Sequence, residues 1–152
     1  MNGAHLHLLL NHVPVILAPA GLVILALGLV RRSTEVLKVG LAVIVAAALF
    51  TVPTYFSGEK AADVVGDLSG VNMDDIEHHA VMAVQAFVAI GVTGLVALAA
   101  LLLGLRGKAA PFWLVITTLV LAVIASGWLA LTANLGGLIR HPEIREPAAA
   151  QR

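Results

Sequence analysis

The residues of this chain best suited to chemistry are its six histidines: His5, His7 and His12 near the start, the adjacent His78 and His79, and His141 near the end. Neutral imidazole ligates transition metals and haem iron, and it exchanges protons near neutral pH. Carboxylates stand close by at Glu59 and Glu77. Histidine and carboxylate together suit Zn, Cu or Fe, which makes His5, His7, His12, Glu59, Glu77, His78 and His79 candidate metal ligands. The order of these residues gives neither an HExxH motif nor the Glu-x-x-His pairs of di-iron bundles. Cysteine is absent, which excludes disulfides, thiolate metal sites and covalent attachment of a c-type haem. Ser57, Ser69 and Ser126 lack a nucleophile-elbow context, and no glycine-rich phosphate loop occurs. Asp63, Asp67, Asp74 and Asp75 do not follow calcium-loop spacing; Asp74 and Asp75 are better placed to favour a helix N-terminus through its dipole.

The elements that carry these residues are set by composition. Hydrophobic residues make up 60% of the chain and charged residues 12%, a balance that belongs to lipid rather than water. Zero formal charge gives no argument for nucleic acid. A hydrocarbon core needs roughly 20 apolar residues per helical crossing, and the pattern predicts helices over about 8–30, 36–56, 76–105 and 111–135. The expected architecture is all-α: one membrane domain over residues 1–140, an up-down bundle of four transmembrane helices, and a polar tail over 141–152. Short basic turns join the first and second helices and the third and fourth, with Thr34 placed to cap the second and Pro111 suited to the first turn of the fourth. The polar stretch 57–75 reads as the one sizeable loop. The opening residues lack a basic segment and a cleavage site, so no signal peptide is expected. Arg31, Arg32, Lys38, Arg106 and Lys108 flank helix ends directly, which places both termini on the non-cytoplasmic side, the periplasm of a bacterial inner membrane. Gly21, Gly28, Gly91, Gly94 and Gly127 would let helices approach closely. Leu27-Gly28-Leu29 and Leu103-Gly104-Leu105 give the two hairpins a weak twofold likeness.

In this topology all six histidines and eight of the nine carboxylates gather at one membrane surface, leaving Glu35 on the other. His12 is the deepest of the first three, beside the carbonyl of Leu10 that Pro14 leaves without a donor. His78, Met82, Gln85 and Thr93 form the polar stripe of the third helix, so the expected interior holds His12, His78 or His79, Gln85, Thr51, Thr54 and Asn134. Two histidines on facing helices can ligate iron, and a haem b between His12 and His78 or His79, with Gln85 near and Arg140 or Lys60 meeting its propionates, fits that arrangement. Interfacial histidines that bond only headgroups, water or freed carbonyls are the bland alternative. Phe112 and Trp113 read as interfacial anchors.

The opening His5-Leu6-His7-Leu8-Leu9-Leu10-Asn11-His12-Val13-Pro14, Gly58, and Glu77-His78-His79 resemble a family of uncharacterised bacterial four-helix inner-membrane proteins that open with a His-Pro-x-x-x-His-Phe-Pro-like motif. Asn11-His12-Val13-Pro14 matches its second half, whereas His7-Leu8 departs from the His-Pro start. The resemblance implies the four-helix fold and the importance of His12 and of residues 77–79, but no reaction. The layout is also similar to that of small haem b subunits that anchor periplasmic redox enzymes. The function expected is thus a non-catalytic electron-transfer subunit that links quinone to a periplasmic redox partner through haem b. The alternatives are a cofactor-free structural subunit of a larger membrane complex and a non-haem Zn, Cu or Fe site.

Overall fold

The computed structural model describes residues 2–105 and 108–144. It comprises four long helices, α1 (Gly3–Arg31), α2 (Thr34–Gly66), α3 (Met73–Leu103) and α4 (Phe112–Arg140), then a single 3-10 turn, Pro142–Ile144. The turn residue Arg106 and the tail residues 145–152, with Arg145, Pro147 and Arg152, lie outside the described residues. Helices of 29, 33, 31 and 29 residues rise about 1.5 Å per residue. Each is therefore longer than a hydrocarbon core of about 30 Å. All four are long and apolar enough to cross a membrane, and at most a third of each apolar window is buried within the bundle. The rest is outward-facing Leu, Val, Ile and Phe, a surface that needs lipid rather than water. These features fit a multi-pass membrane protein.

The helices exceed the sequence expectation because polar residues extend them beyond the apolar runs. Most of the stretch expected as a loop is the last third of α2: Ser57 and Ala61 are buried while Glu59, Lys60 and Asp63 face outward, an amphipathic continuation rather than a turn. Only residues 67–72 connect α2 to α3, with Gly70 at φ +81° in the left-handed region. The next helix starts at Met73, where the Asn72 side chain accepts from the Asp74 N–H and two aspartates occupy the first turn. Gly136 and Gly137 do not end α4, which continues to Arg140.

The α1–α2 turn is tight. Arg32 adopts φ 51°, and the N–H of Ser33 reaches back to the Gly28 carbonyl at 3.0 Å, closing α1 in a Schellman arrangement. Ser33, rather than Thr34, caps α2, its hydroxyl accepting from the Val36 N–H. Pro111 stands just before α4, and its carbonyl accepts from Leu114 and Val115.

Each helix packs on the next, α4 also packs on α1, and the diagonal pairs α1/α3 and α2/α4 scarcely touch. Glycine sets the closest approaches: a Cβ on Gly21 would stand 2.7 Å from Ile44, one on Gly28 2.8 Å from the Leu37 nitrogen, and one on Gly94 would collide with the Ala48 Cβ. Gly91 and Gly127, expected in the same role, have nothing within 4 Å. The buried hydroxyls of Thr51, Thr93 and Thr118 each donate to the carbonyl four residues back in their own helix, whereas the buried Ser126 hydroxyl has no partner among the described residues.

Candidate functional site

Buried positions on α1 run Pro14, Ala18, Gly21, Leu25, Gly28. Their alternating spacing of four and three marks the seam that a helix turns toward a bundle core. Extended toward the N-terminus, the seam meets Asn11 and then His7. On α3 the seam of Ala86, Ile90, Thr93, Ala97 and Ala100 extends back to His79. On α4, Thr118, Ala122, Ala125 and Leu129 lead onward to Thr132 and Gly136. Seams converge on the axis, so His7 and His79 meet across the α1/α3 diagonal, their ring centres 6.3 Å apart and their planes at 88°. Both rings are half-buried.

Each imidazole is held by the partner helix of its own hairpin. His7 Nδ1 lies 3.0 Å from the Thr54 carbonyl and 3.2 Å from Ser57 Oγ, which itself donates to that carbonyl at 2.8 Å. His79 Nδ1 lies 2.9 Å from the Thr132 carbonyl. A carbonyl oxygen only accepts, so in both rings Nδ1 carries the hydrogen and donates it. Each Nε2 is then left with a free lone pair, the orientation that ligating histidines adopt when a backbone carbonyl fixes the other nitrogen.

The two half-sites share one design. Thr54 and Thr132 both donate their hydroxyls to the carbonyl four residues back, Phe50 and Trp128. Four residues further on, each helix has a glycine against the ring: a Cβ on Gly58 would stand 3.5 Å from His7 Cε1, and one on Gly136 3.0 Å from His79 Cε1. His, a Thr carbonyl and a Gly four residues on thus recur in both hairpins. This is a closer likeness than the Leu-Gly-Leu turns. One turn inward from His7, the side-chain oxygen of Asn11 is buried with no hydrogen-bond partner.

The remaining candidates lie elsewhere. His12 is exposed on the outer side of α1, its Nδ1 bonded to the Leu8 carbonyl at 3.1 Å, and it does not meet His78 or His79. His5, His78, Gln85, Glu59, Glu77, Asn134 and Arg140 are exposed as well. Of the expected interior group, His79, Thr51 and Thr54 face inward, whereas His12, His78, Gln85 and Asn134 do not. The reason is register: His5 and His12 share a helical face, but it is not the face that continues the seam from Gly28. Among the described residues no three of His, Cys, Asp and Glu come together in a metal-binding group. His141 pairs with Glu143 at 2.8 Å in the 3-10 turn, which holds the exposed Glu143 carboxyl below the usual carboxylate range. Beside the site, Tyr55 of α2 stacks on Phe87 of α3 with ring centres 4.6 Å apart, so Tyr55 packs between these two helices. The α1 seam is the signal available in the sequence for His7. Comparison with protein-family models, with curated proteins and with solved structures gave no match.

Proposed function

We propose that this chain is an electron-transfer subunit of a bacterial inner membrane, with haem b held between His7 and His79. Its helices run up and down, with both termini and the site at the periplasmic side, and it passes electrons between quinone and a periplasmic redox partner. The observation that carries the reading is the inward imidazole pair. The two rings come from diagonal helices and stand 6.3 Å apart, centre to centre. Both Nδ1–H groups are already committed to carbonyls, which leaves neutral Nε2 for the iron. Gly58 and Gly136 keep the ring edges uncrowded, and one turn from His7 the Asn11 oxygen is buried without a hydrogen-bond partner. Bound haem would supply one-electron chemistry. The residues orient the imidazoles, and exposed Lys60 and Arg140, beyond Ser57 and Gly136 on their helices, are cations for the propionates.

The test is an optical spectrum with metal analysis on detergent-purified protein expressed with an ample haem supply. A Soret band that shifts on reduction, survives His12→Ala and disappears in both His7→Ala and His79→Ala supports the reading. Colourless, metal-free wild-type protein overturns it in favour of a structural subunit. Zn, Cu or Fe without porphyrin would overturn it in favour of a non-haem site. Fusions at residue 2 and in the 67–72 loop that report a cytoplasmic location would overturn the orientation.

A further inference from the structure

We infer that a groove between α3 and α4, lined by His78, Val81, Met82 and Leu135, seats the head ring of a quinone. The inference rests on the electron-transfer reading above, which needs an electron source or sink dissolved in the bilayer. The groove has a volume of about 300 Å³, lies open on its outer side and is almost wholly apolar, with His78 its one titratable side chain. That volume matches the lower end of small-molecule sites, which combine apolar walls with a few placed polar groups.

Position and chemistry together select the occupant. His78 is exposed and makes no hydrogen bond within the described protein, so its ring N–H is free to donate. A quinone offers carbonyl oxygens at the edge of a flat ring, which the imidazole recognises while Val81, Leu135 and the polarisable Met82 thioether cover the ring faces. An isoprenoid tail would leave through the open side into lipid, among outward-facing Val84 and Leu131. His78 is the chain neighbour of His79, and Leu135 the neighbour of Gly136, so the groove wall is made by the same helical turns that build one half-site. The equivalent of His78 before His7 is Leu6. The extra imidazole therefore belongs to one half-site only and is not required by the repeated design of the pair.

The test uses the full chain in detergent micelles, a photoreactive azido-quinone and decyl-ubiquinone as competitor. Labelling should be saturable, suppressed by decyl-ubiquinone and mapped to peptides containing Val81–Met82 or Leu135. His78→Ala should weaken decyl-ubiquinone binding by up to about tenfold, the loss of one hydrogen bond. Leu135→Trp should abolish labelling by filling the groove, while His12→Ala, which removes another exposed imidazole, should leave it unchanged. Labelling spread evenly over the lipid-facing helices, or unaltered by Leu135→Trp, would overturn the inference and identify the groove as an acyl-chain contact. The Soret band recorded on the same samples keeps the two ideas apart. A coloured protein that fails to bind quinone rejects the groove alone, and a colourless one rejects the haem reading.

Discussion

One substitution, glycine to alanine, is expected to have opposite effects at two positions that the sequence alone does not distinguish. A Cβ on Gly40 would stand 2.6 Å from the backbone nitrogen of Leu25, 2.8 Å from its Cα and 3.0 Å from its Cβ. Carbon contacts settle at about 3.5–4.0 Å, and backbone cannot rotate aside, so α1 and α2 must part by about 1 Å there. Overpacking of this kind costs about 1–3 kcal/mol. Alanine returns at most about 0.5–1 kcal/mol of helix preference, less where the denatured chain stays helical in detergent. Gly40→Ala should therefore destabilise by about 1–2 kcal/mol. Gly127 is equally helical but has nothing within 4 Å; Gly127→Ala should be neutral or stabilising by up to about 1 kcal/mol. Equilibrium unfolding in mixed micelles, followed by the fluorescence of Trp113 and Trp128, measures both. Because His7 reaches Thr54 across the same α1–α2 interface, Gly40→Ala should also disturb the His7 ring resonances. The packing argument is refuted if the two variants shift stability in the same direction by similar amounts.

Other expectations concern the site more directly. In ¹⁵N spectra of selectively labelled protein, His7 and His79 should show the Nδ1–H tautomer, and a dominant Nε2–H form in either would contradict the carbonyl bonds assigned to them. Thr54→Val removes the hydroxyl that reaches the Leu10 carbonyl at 3.2 Å, the acceptor that Pro14 leaves without a helical donor. It should cost about 1 kcal/mol or more, clearly above Thr118→Val, whose acceptor Leu114 belongs to its own helix; equal losses would argue against the cross-helix bond. The Glu143 carboxyl is depressed by its bond to His141. A depressed carboxylate contributes above its unfolded pKa and loses that contribution as pH falls through the folded value. The Glu143 contribution to the 3-10 turn should therefore be lost in acid below the ordinary glutamate range, as read from the Ile144 amide resonance. Glu143→Gln should remove this pH dependence while leaving global stability unchanged, since the pair is exposed.

The number and type of elements were legible in the sequence because four apolar runs of spanning length leave helices as the only means of satisfying the backbone in lipid. Helix ends were less legible: Ser57–Gly66 carries enough charge to read as loop, yet one buried stripe through Ser57 and Ala61 is sufficient to continue α2. The carbonyl released by Pro14 was readable too, and its donor proves to be Thr54 on the neighbouring helix. On α1, depth in the chain points to His12, whereas rotation about the helix selects His7; on α3 the expected His79 does face inward. His12 lies deeper, but a turn of about 100° per residue carries it off the line that joins Gly28, Leu25, Gly21, Ala18 and Pro14 to His7. Thr132 and Gly136 were invisible as site residues because they contribute a backbone oxygen and an absent side chain, neither of which has a residue-type signal.

The histidine pair is divided between hairpins, His7 held within one and His79 within the other. Either half of the molecule, expressed by itself, would possess one pre-oriented imidazole and no pair. A ligand gripped by both rings would act as a clasp, and by mass action its binding free energy would add to the docking of one half on the other. Such a ligand would reinforce a junction that α2 on α3 and α4 on α1 already make, so its loss would loosen that end of the bundle rather than undo the whole.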